Sequence, residues 1–174
     1  MRQHDLVIKR PTCQLTSWSF GRLIGLDMLS QTVGYAIAAL GHLSRYQQQL
    51  GAQFVRDIAK ATGIPPAYLA KIVHTLARKG FLTTQRGTSG GVSLARPADQ
   101  VSLLEICEVF DDPIVQKRCM LGTVACSEER NCPAHCFWTE ERERVAEFLR
   151  RTTLKSIAQF EESKVAPILE NPKR

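Results

Sequence analysis

The chain has 174 residues, 44% of them hydrophobic, which suffices for one packed domain with an appended element. A net charge of +6 and a sequence pI near 9.2 favour a polyanionic partner. No apolar run approaches the roughly 20 residues that a membrane helix requires, so a soluble chain without a membrane partner is expected.

Residues 1–25 carry Lys9, Arg10 and Pro11, the isolated aromatics Trp18 and Phe20, and no apolar periodicity. A disordered extension is expected there. No apolar block of the signal-peptide kind follows Lys9 and Arg10, so the expected compartment is the reducing cytoplasm. Cys13 has no ligand-type neighbour and is read as a bystander.

From Met28 to Tyr46, Val33, Ile37, Leu40 and Leu43 recur at spacings of three and four, which predicts a helix with one buried face and Ser30 as its N-cap. The polar run Gln47-Gln48-Gln49 with Gly51 then reads as a break. Phe54, Val55, Ile58 and Ala59 predict a short second helix that stops at Gly63, a left-handed C-cap. Pro65 and Pro66 open a third helix to about Lys79, whose apolar face is Leu69, Ile72, Val73 and Leu76. Its opposite face offers Ala67, Tyr68, Ala70, Lys71, His74, Thr75 and Arg78 to the outside. Two short helices joined by a glycine turn make a helix-turn-helix. Phe81–Arg86, the turn Gly87-Thr88-Ser89-Gly90-Gly91 and Val92–Arg96 then predict a β-hairpin wing, with basic Arg86 at its tip.

Ser102 with Glu105 forms a capping box for a fourth helix through Leu103, Leu104, Ile106, Val109 and Phe110. Cys107 lies in that run and is read as a buried small hydrophobe. Asp111, Asp112 and Pro113 end the helix. Thr139 is expected to cap a longer helix, with Glu140 and Glu141 in its first turn and Arg150 and Arg151 in its last, as the helix dipole favours. Trp138, Val145, Phe148, Leu149 and Thr152 mark its inner face, either an internal packing surface or a dimer seam. Thr153 caps a shorter helix through Leu154, Ile157 and Phe160, and a flexible tail closes the chain. The expected plan is a disordered extension at 1–25, a winged helix-turn-helix at 26–112 and a cysteine-rich loop at 113–138. A dimerisation helix with its short successor at 139–162 and a tail at 163–174 complete it.

Four of the six cysteines fall between Cys119 and Cys136. Six residues separate Cys119 from Cys126 and five separate Cys126 from Cys132, while His135 and Cys136 follow after two and three. Thiolate is soft and imidazole borderline, so this set suits zinc or an iron-sulfur cluster rather than hard cations. Zinc knuckles favour cysteine pairs two residues apart, whereas wide, uneven gaps suit a cluster whose irons take ligands from different directions. A structural zinc and a metal-free thiol switch stay open beside the cluster. A thiol enzyme built on Cys132 or Cys136 with His135 lacks an orienting third group and an oxyanion-hole glycine motif, so no enzyme is expected.

These residues together resemble the family of winged-helix bacterial regulators that includes IscR, NsrR and RirA. The matching pieces are Tyr35-Ala36-Ile37, Pro66-Ala67-Tyr68-Leu69, Leu76 with Gly80-Phe81-Leu82, Arg86-Gly87-Thr88-Ser89-Gly90-Gly91, and the three cysteines with Cys132-Pro-Ala-His135 and Trp138. The resemblance covers about residues 28 to 162. It implies a mainly α fold with a small hairpin wing, and a homodimer built on the long C-terminal helix that binds a partly palindromic double-stranded operator. It implies a cluster, of [2Fe-2S] type, on Cys119, Cys126 and Cys132, with His135 as fourth ligand and Cys136 as its competitor. In the nitric oxide sensor the fourth ligand is an aspartate on the partner's first helix, and Gly34 stands at that position here. Family base-contacting positions fall on Ala67, Ala70 and Lys71. The DNA-binding set expected for this chain is therefore Ala67, Tyr68, Lys71, His74, Arg78 and Arg86, serving a repressor whose operator affinity follows the state of the cluster.

Overall fold

The computed structural model describes residues 29–160 except 88, 89, 120, 122–125, 128, 130 and 131, and all but the side chain of residue 48. The expectations for 1–25, for Cys13 and for 163–174 lie outside the described residues. The fold is mainly helical with one small antiparallel hairpin.

Helix α1 (Gln31–Leu50) starts at Ser30, whose side chain accepts from the Val33 amide as expected of an N-cap. Helix α2 (Val55–Thr62) ends on Gly63 in the left-handed conformation, and α3 (Pro66–Arg78) begins on the second proline. Their apolar stripes meet: Val33, Leu40 and Leu43, Ile58, and Leu69, Ile72 and Leu76 lie in one buried cluster. Burying each such leucine or isoleucine stabilises the fold by about 1.5–3 kcal/mol. This cluster fixes the angle between α2 and α3.

Strands β1 (Leu82–Gln85) and β2 (Gly91–Leu94) pair antiparallel, Leu82 with Leu94 and Gln85 with Gly91. Gln53 adds an isolated antiparallel bridge on the other edge of β2, since its backbone exchanges hydrogen bonds of 2.9 and 2.8 Å with Val92. A Cβ at Gly91 would sit 2.5 Å from the Gln53 carbonyl oxygen, so only glycine lets the wing dock this closely. Helix α4 (Leu103–Val109) carries the full Ser102–Glu105 capping box. A short 3₁₀ turn, Pro113–Val115, leads into the cysteine segment, and helix α5 (His135–Arg151) follows it. A last helical stretch, 154–160, packs back, with Leu154 fully buried and backbone bonds joining Leu103 to Thr152 and Leu154 to Val101.

Three expectations are corrected. The polar run after Tyr46 is helical, because the Gln47 side-chain carbonyl accepts from the Leu94 amide at 3.2 Å and holds the last turns of α1 against the wing. The long helix begins at His135, four residues before Thr139, so the end of the expected 113–138 loop is already helical. Here the Trp138 indole donates to the Arg118 carbonyl at 2.9 Å, and this long-range anchor outweighs the local cap signal at Thr139. Phe148 does not pack internally, which leaves it only the seam alternative. It is 63% exposed, and three turns earlier Phe137 points the same way at 58%, while Trp138, Val145 and Leu149 turn inward. Phe160 is exposed as well.

Candidate nucleic-acid interface and cysteine site

Helix α3 presents Ala67, Tyr68, Ala70, Lys71, His74 and Arg78 as exposed side chains, the set its periodicity predicts except for Thr75, which is half-buried. An open groove between α3 and the wing is lined by Ala70, His74 and Arg78 on one side and by Gln85, Arg86 and Gly87 on the other. Thus three of the six expected DNA-binding residues, His74, Arg78 and Arg86, share one groove. Arg56 of α2 joins them there, held 3.3 Å from Asp57. Sequence reasoning passed over Arg56, because its place depends on the packing angle of α2 on α3. Tyr68 faces elsewhere: its hydroxyl lies 2.6 Å from that of Thr32, and its ring meets Tyr35 edge-on at 5.6 Å. The start of α3 is therefore held by the start of α1. An exposed, arginine-lined groove beside a helix and a hairpin tip matches what phosphate and groove contacts require.

The described residues around the cysteines make a few polar contacts. The Cys126 amide donates to the Lys117 carbonyl at 3.1 Å, and His135 N–H donates to the Cys132 carbonyl at 3.0 Å. Cys126 Sγ lies 3.1 Å from His135 Nδ1, either atom being able to donate. Two of the four expected ligands are thus in contact. Cys119 and Cys132 are half-buried but do not join them: among the described residues no three His, Cys, Asp or Glu side chains gather as for one metal ion. Cys136 is exposed one residue after His135, and all five described cysteines are free thiols. In donor chemistry, three thiols and an imidazole on one short segment fit a cluster or a zinc ion.

Cys107 belongs elsewhere. It is buried in the core, and that burial, with the nearby Asp112 charge, pushes its thiol up to about 12. It is a packing residue, as expected.

A helix-turn-helix with a hairpin wing and a basic groove defines a DNA-binding regulator. The model of the Rrf2 family, described as iron-dependent transcriptional regulators, matches residues 29–159, and the chain belongs to that family. An HTH-type transcriptional regulator of Aquifex aeolicus is 34% identical over 81% of this chain and 98% of its own length. IscR of Xenorhabdus nematophila is 27% identical over 74% of this chain and 77% of its own. Among solved structures, CymR, the global cysteine regulator of B. subtilis, superposes with a TM-score of 0.63 at 24% identity, over 75% of this chain and 95% of that one. IscR of T. potens superposes at 0.60 and 21%, over 86% and 95%. The two structures establish the shared fold. The relatives are transcriptional regulators rather than enzymes. None of the described helices is long and apolar enough to cross a membrane.

Proposed function

We propose that this chain is a repressor whose operator affinity is set by an iron-sulfur cluster, of [2Fe-2S] type, responding to iron, redox state or nitric oxide. The observation that carries this reading is the 3.1 Å contact between Cys126 Sγ and His135 Nδ1 in a family described as iron-dependent. Cys119, Cys126, Cys132 and His135 are the ligands, with Cys136 as the rival fourth. When bound, the cluster supplies a centre that accepts electrons and reacts with small oxidants. Keeping these thiols free requires a reducing compartment, the cytoplasm.

The chain's own residues do the rest. Residues 26–112 form the DNA-binding unit, 113–134 the ligand loop, and α5 with the helical stretch after it the dimerisation element. Phe137 and Phe148, exposed on one face of α5, supply an apolar seam for a second copy. In the dimer two α3 helices enter successive major grooves, with Ala67, Tyr68 and Lys71 near the bases. His74, Arg78 and Arg86 contact phosphates or the minor groove.

The deciding experiment is the visible absorption, iron and sulfide content of protein purified without oxygen. A brown protein with near-equal iron and sulfide supports the reading. A colourless protein holding one zinc per chain replaces it with a structural staple, and a metal-free one with a thiol switch. On the DNA side, Arg86→Ala should lower the slope of log affinity against log salt by about one unit. An unchanged slope would remove Arg86 from the contact set.

A further inference from the structure

The chain leaves α4 for the cysteine segment through Asp112, a carboxylate only 1% exposed. Its Oδ1 accepts from the Ile114 amide at 3.0 Å, inside the turn that begins the segment. Its Oδ2 accepts from the Ser30 amide at 2.8 Å, across 82 residues of sequence. Ser30 is the N-cap of α1, and α1 has no acidic residue in its own first turn. Asp112 therefore supplies in trans the negative charge that a helix N-terminus favours. Two residues beyond Ser30, the Thr32 hydroxyl meets the Tyr68 hydroxyl at 2.6 Å, in the first turn of α3. Two hydrogen bonds, joined by the backbone from Ser30 to Thr32, thus connect the head of the cysteine segment with the head of the recognition helix, the second of them solvent-exposed.

We propose that Asp112 is a positioning residue that carries the state of the cysteine segment to the recognition helix, through Ser30 and Thr32 acting on Tyr68. The inference rests on the reading that the cysteine centre controls operator affinity, and it names the residues that couple the two. A buried carboxylate cannot exchange a lost amide donor for water, so each of its two bonds is costly to leave unmade. The Pro113–Val115 turn and the entry of α1 consequently move as one body. A change of ligation that displaces this turn displaces Ser30 with it, and Thr32 then moves the Tyr68 hydroxyl. A purely structural cap would add stability without linking the two sites. The two roles are separable by experiment.

The probe is a labelled duplex that the wild-type full-length protein selects from a random-sequence pool, with affinity read by fluorescence anisotropy. Each protein is measured in its loaded form, purified without oxygen, and after the metal is removed with a chelator. For the wild type the two affinities should differ on the order of 5–150-fold. Asp112→Asn keeps the shape but sets an amide donor against one of the two amides, and should bring the ratio to within about twofold of unity while the visible spectrum persists. Thr32→Val cuts the line further along, away from the cysteines, and should do the same. Thr32→Ser restores the hydroxyl and should restore the ratio. If the wild type shows no difference, the control reading fails and the relay falls with it. If the wild type shows the difference and both Asp112→Asn and Thr32→Val retain it, the relay alone is overturned. Should Asp112→Asn fail to fold or to load, the Thr32 pair decides on its own, collapse with rescue supporting the relay and retention refuting it.

Discussion

The helix-turn-helix with its wing and the segment between Pro113 and Ala134 are held by different forces. In the former, Val33, Leu40, Leu43, Ile58, Leu69 and Leu76 are each at most 1% exposed, and the backbone follows from how those side chains pack. In the latter no described residue is buried: Ile114 and Val115 at its head lean on the core, and beyond them the described contacts are hydrogen bonds such as Trp138 to Arg118 and Cys126 to His135. Packed cores resist small displacements because their interiors are dense, whereas a segment held by few polar contacts changes shape for little free energy. A reader of DNA needs the first property, and under the proposed function the cysteine segment, as the part that answers to a ligand, needs the second. The contrast is testable in several ways.

The largest expected difference is between two cysteines. Cys107 sits in the packed part with its thiol pushed up to about 12, first by burial and then by Asp112, while Cys136 stands exposed at the start of α5. At pH 8 the thiolate fraction of Cys107 is on the order of one part in ten thousand. Alkylation of metal-free protein, followed by mass spectrometry, should therefore modify Cys136 under native conditions and Cys107 only on unfolding. Prompt native labelling of Cys107 would show that the core opens as easily as the segment.

Next in size is the cost of a missing side chain. Leu76→Ala empties a site that is 0% exposed and should cost about 2–5 kcal/mol in urea denaturation. Cys119→Ser in metal-free protein alters a half-buried position outside the hydrophobic core and should stay within about 0.5 kcal/mol. Equal losses would break the contrast.

What could be read from sequence follows the same division. Gly63, Pro65-Pro66, Gly80, the glycine-rich turn and the Ser102–Glu105 box are local signals, and each element they bound stands where its periodicity puts it. The ends that moved answer to distant partners, Gln47 to Leu94 and Trp138 to Arg118, and no window of neighbouring residues contains that information. Spacing singled out Cys126 and His135 as candidates, but only the folded chain brings their side chains together. The same holds for Arg56 in the groove and for Asp112 beneath Ser30.

Between the two regions lies Glu105, which caps α4 and accepts from Arg96 at 3.0 Å, just beyond the wing. Burial alone would raise its carboxyl. The Ser102 amide, Arg96 and the Ser102 hydroxyl outweigh that and hold it below the ordinary carboxylate value. With the folded value depressed, the stabilisation is complete above the unfolded value and disappears as pH falls through the folded one. The side chain is over a third exposed, so after solvent screening the contribution is at most about 1 kcal/mol. Glu105→Gln should lower stability by that amount at neutral pH and leave it unchanged in acid, where wild type and variant converge. A difference that persisted below the carboxylate range would mean that Glu105 acts through packing instead.

The smallest effect separates the two helix ends that border these regions. Helix α3 closes with Gly80 at φ 76°, its amide bonded to the Ala77 carbonyl and the Phe81 amide to that of Leu76. Helix α4 closes the same way, the Asp111 amide bonding to Glu108 and the Asp112 amide to Cys107. There the left-handed position, at φ 49°, is filled by Asp111, the only described residue other than glycine with positive φ. Glycine takes this conformation freely, whereas a side chain raises its energy by roughly 1 kcal/mol, with aspartate among the more tolerant. Asp111→Gly should therefore raise the urea midpoint by an amount equivalent to about 0.5–1 kcal/mol, and Gly80→Ala should lower it by a similar or larger amount. Since Asp112 is the next residue, relief of this strain leaves the Ser30 and Ile114 bonds in place, and the operator-affinity ratio between loaded and metal-free protein should not change. If Asp111→Gly stabilises the chain and also lowers that ratio, then the left-handed aspartate, and not the buried carboxylate beside it, is what sets the coupling.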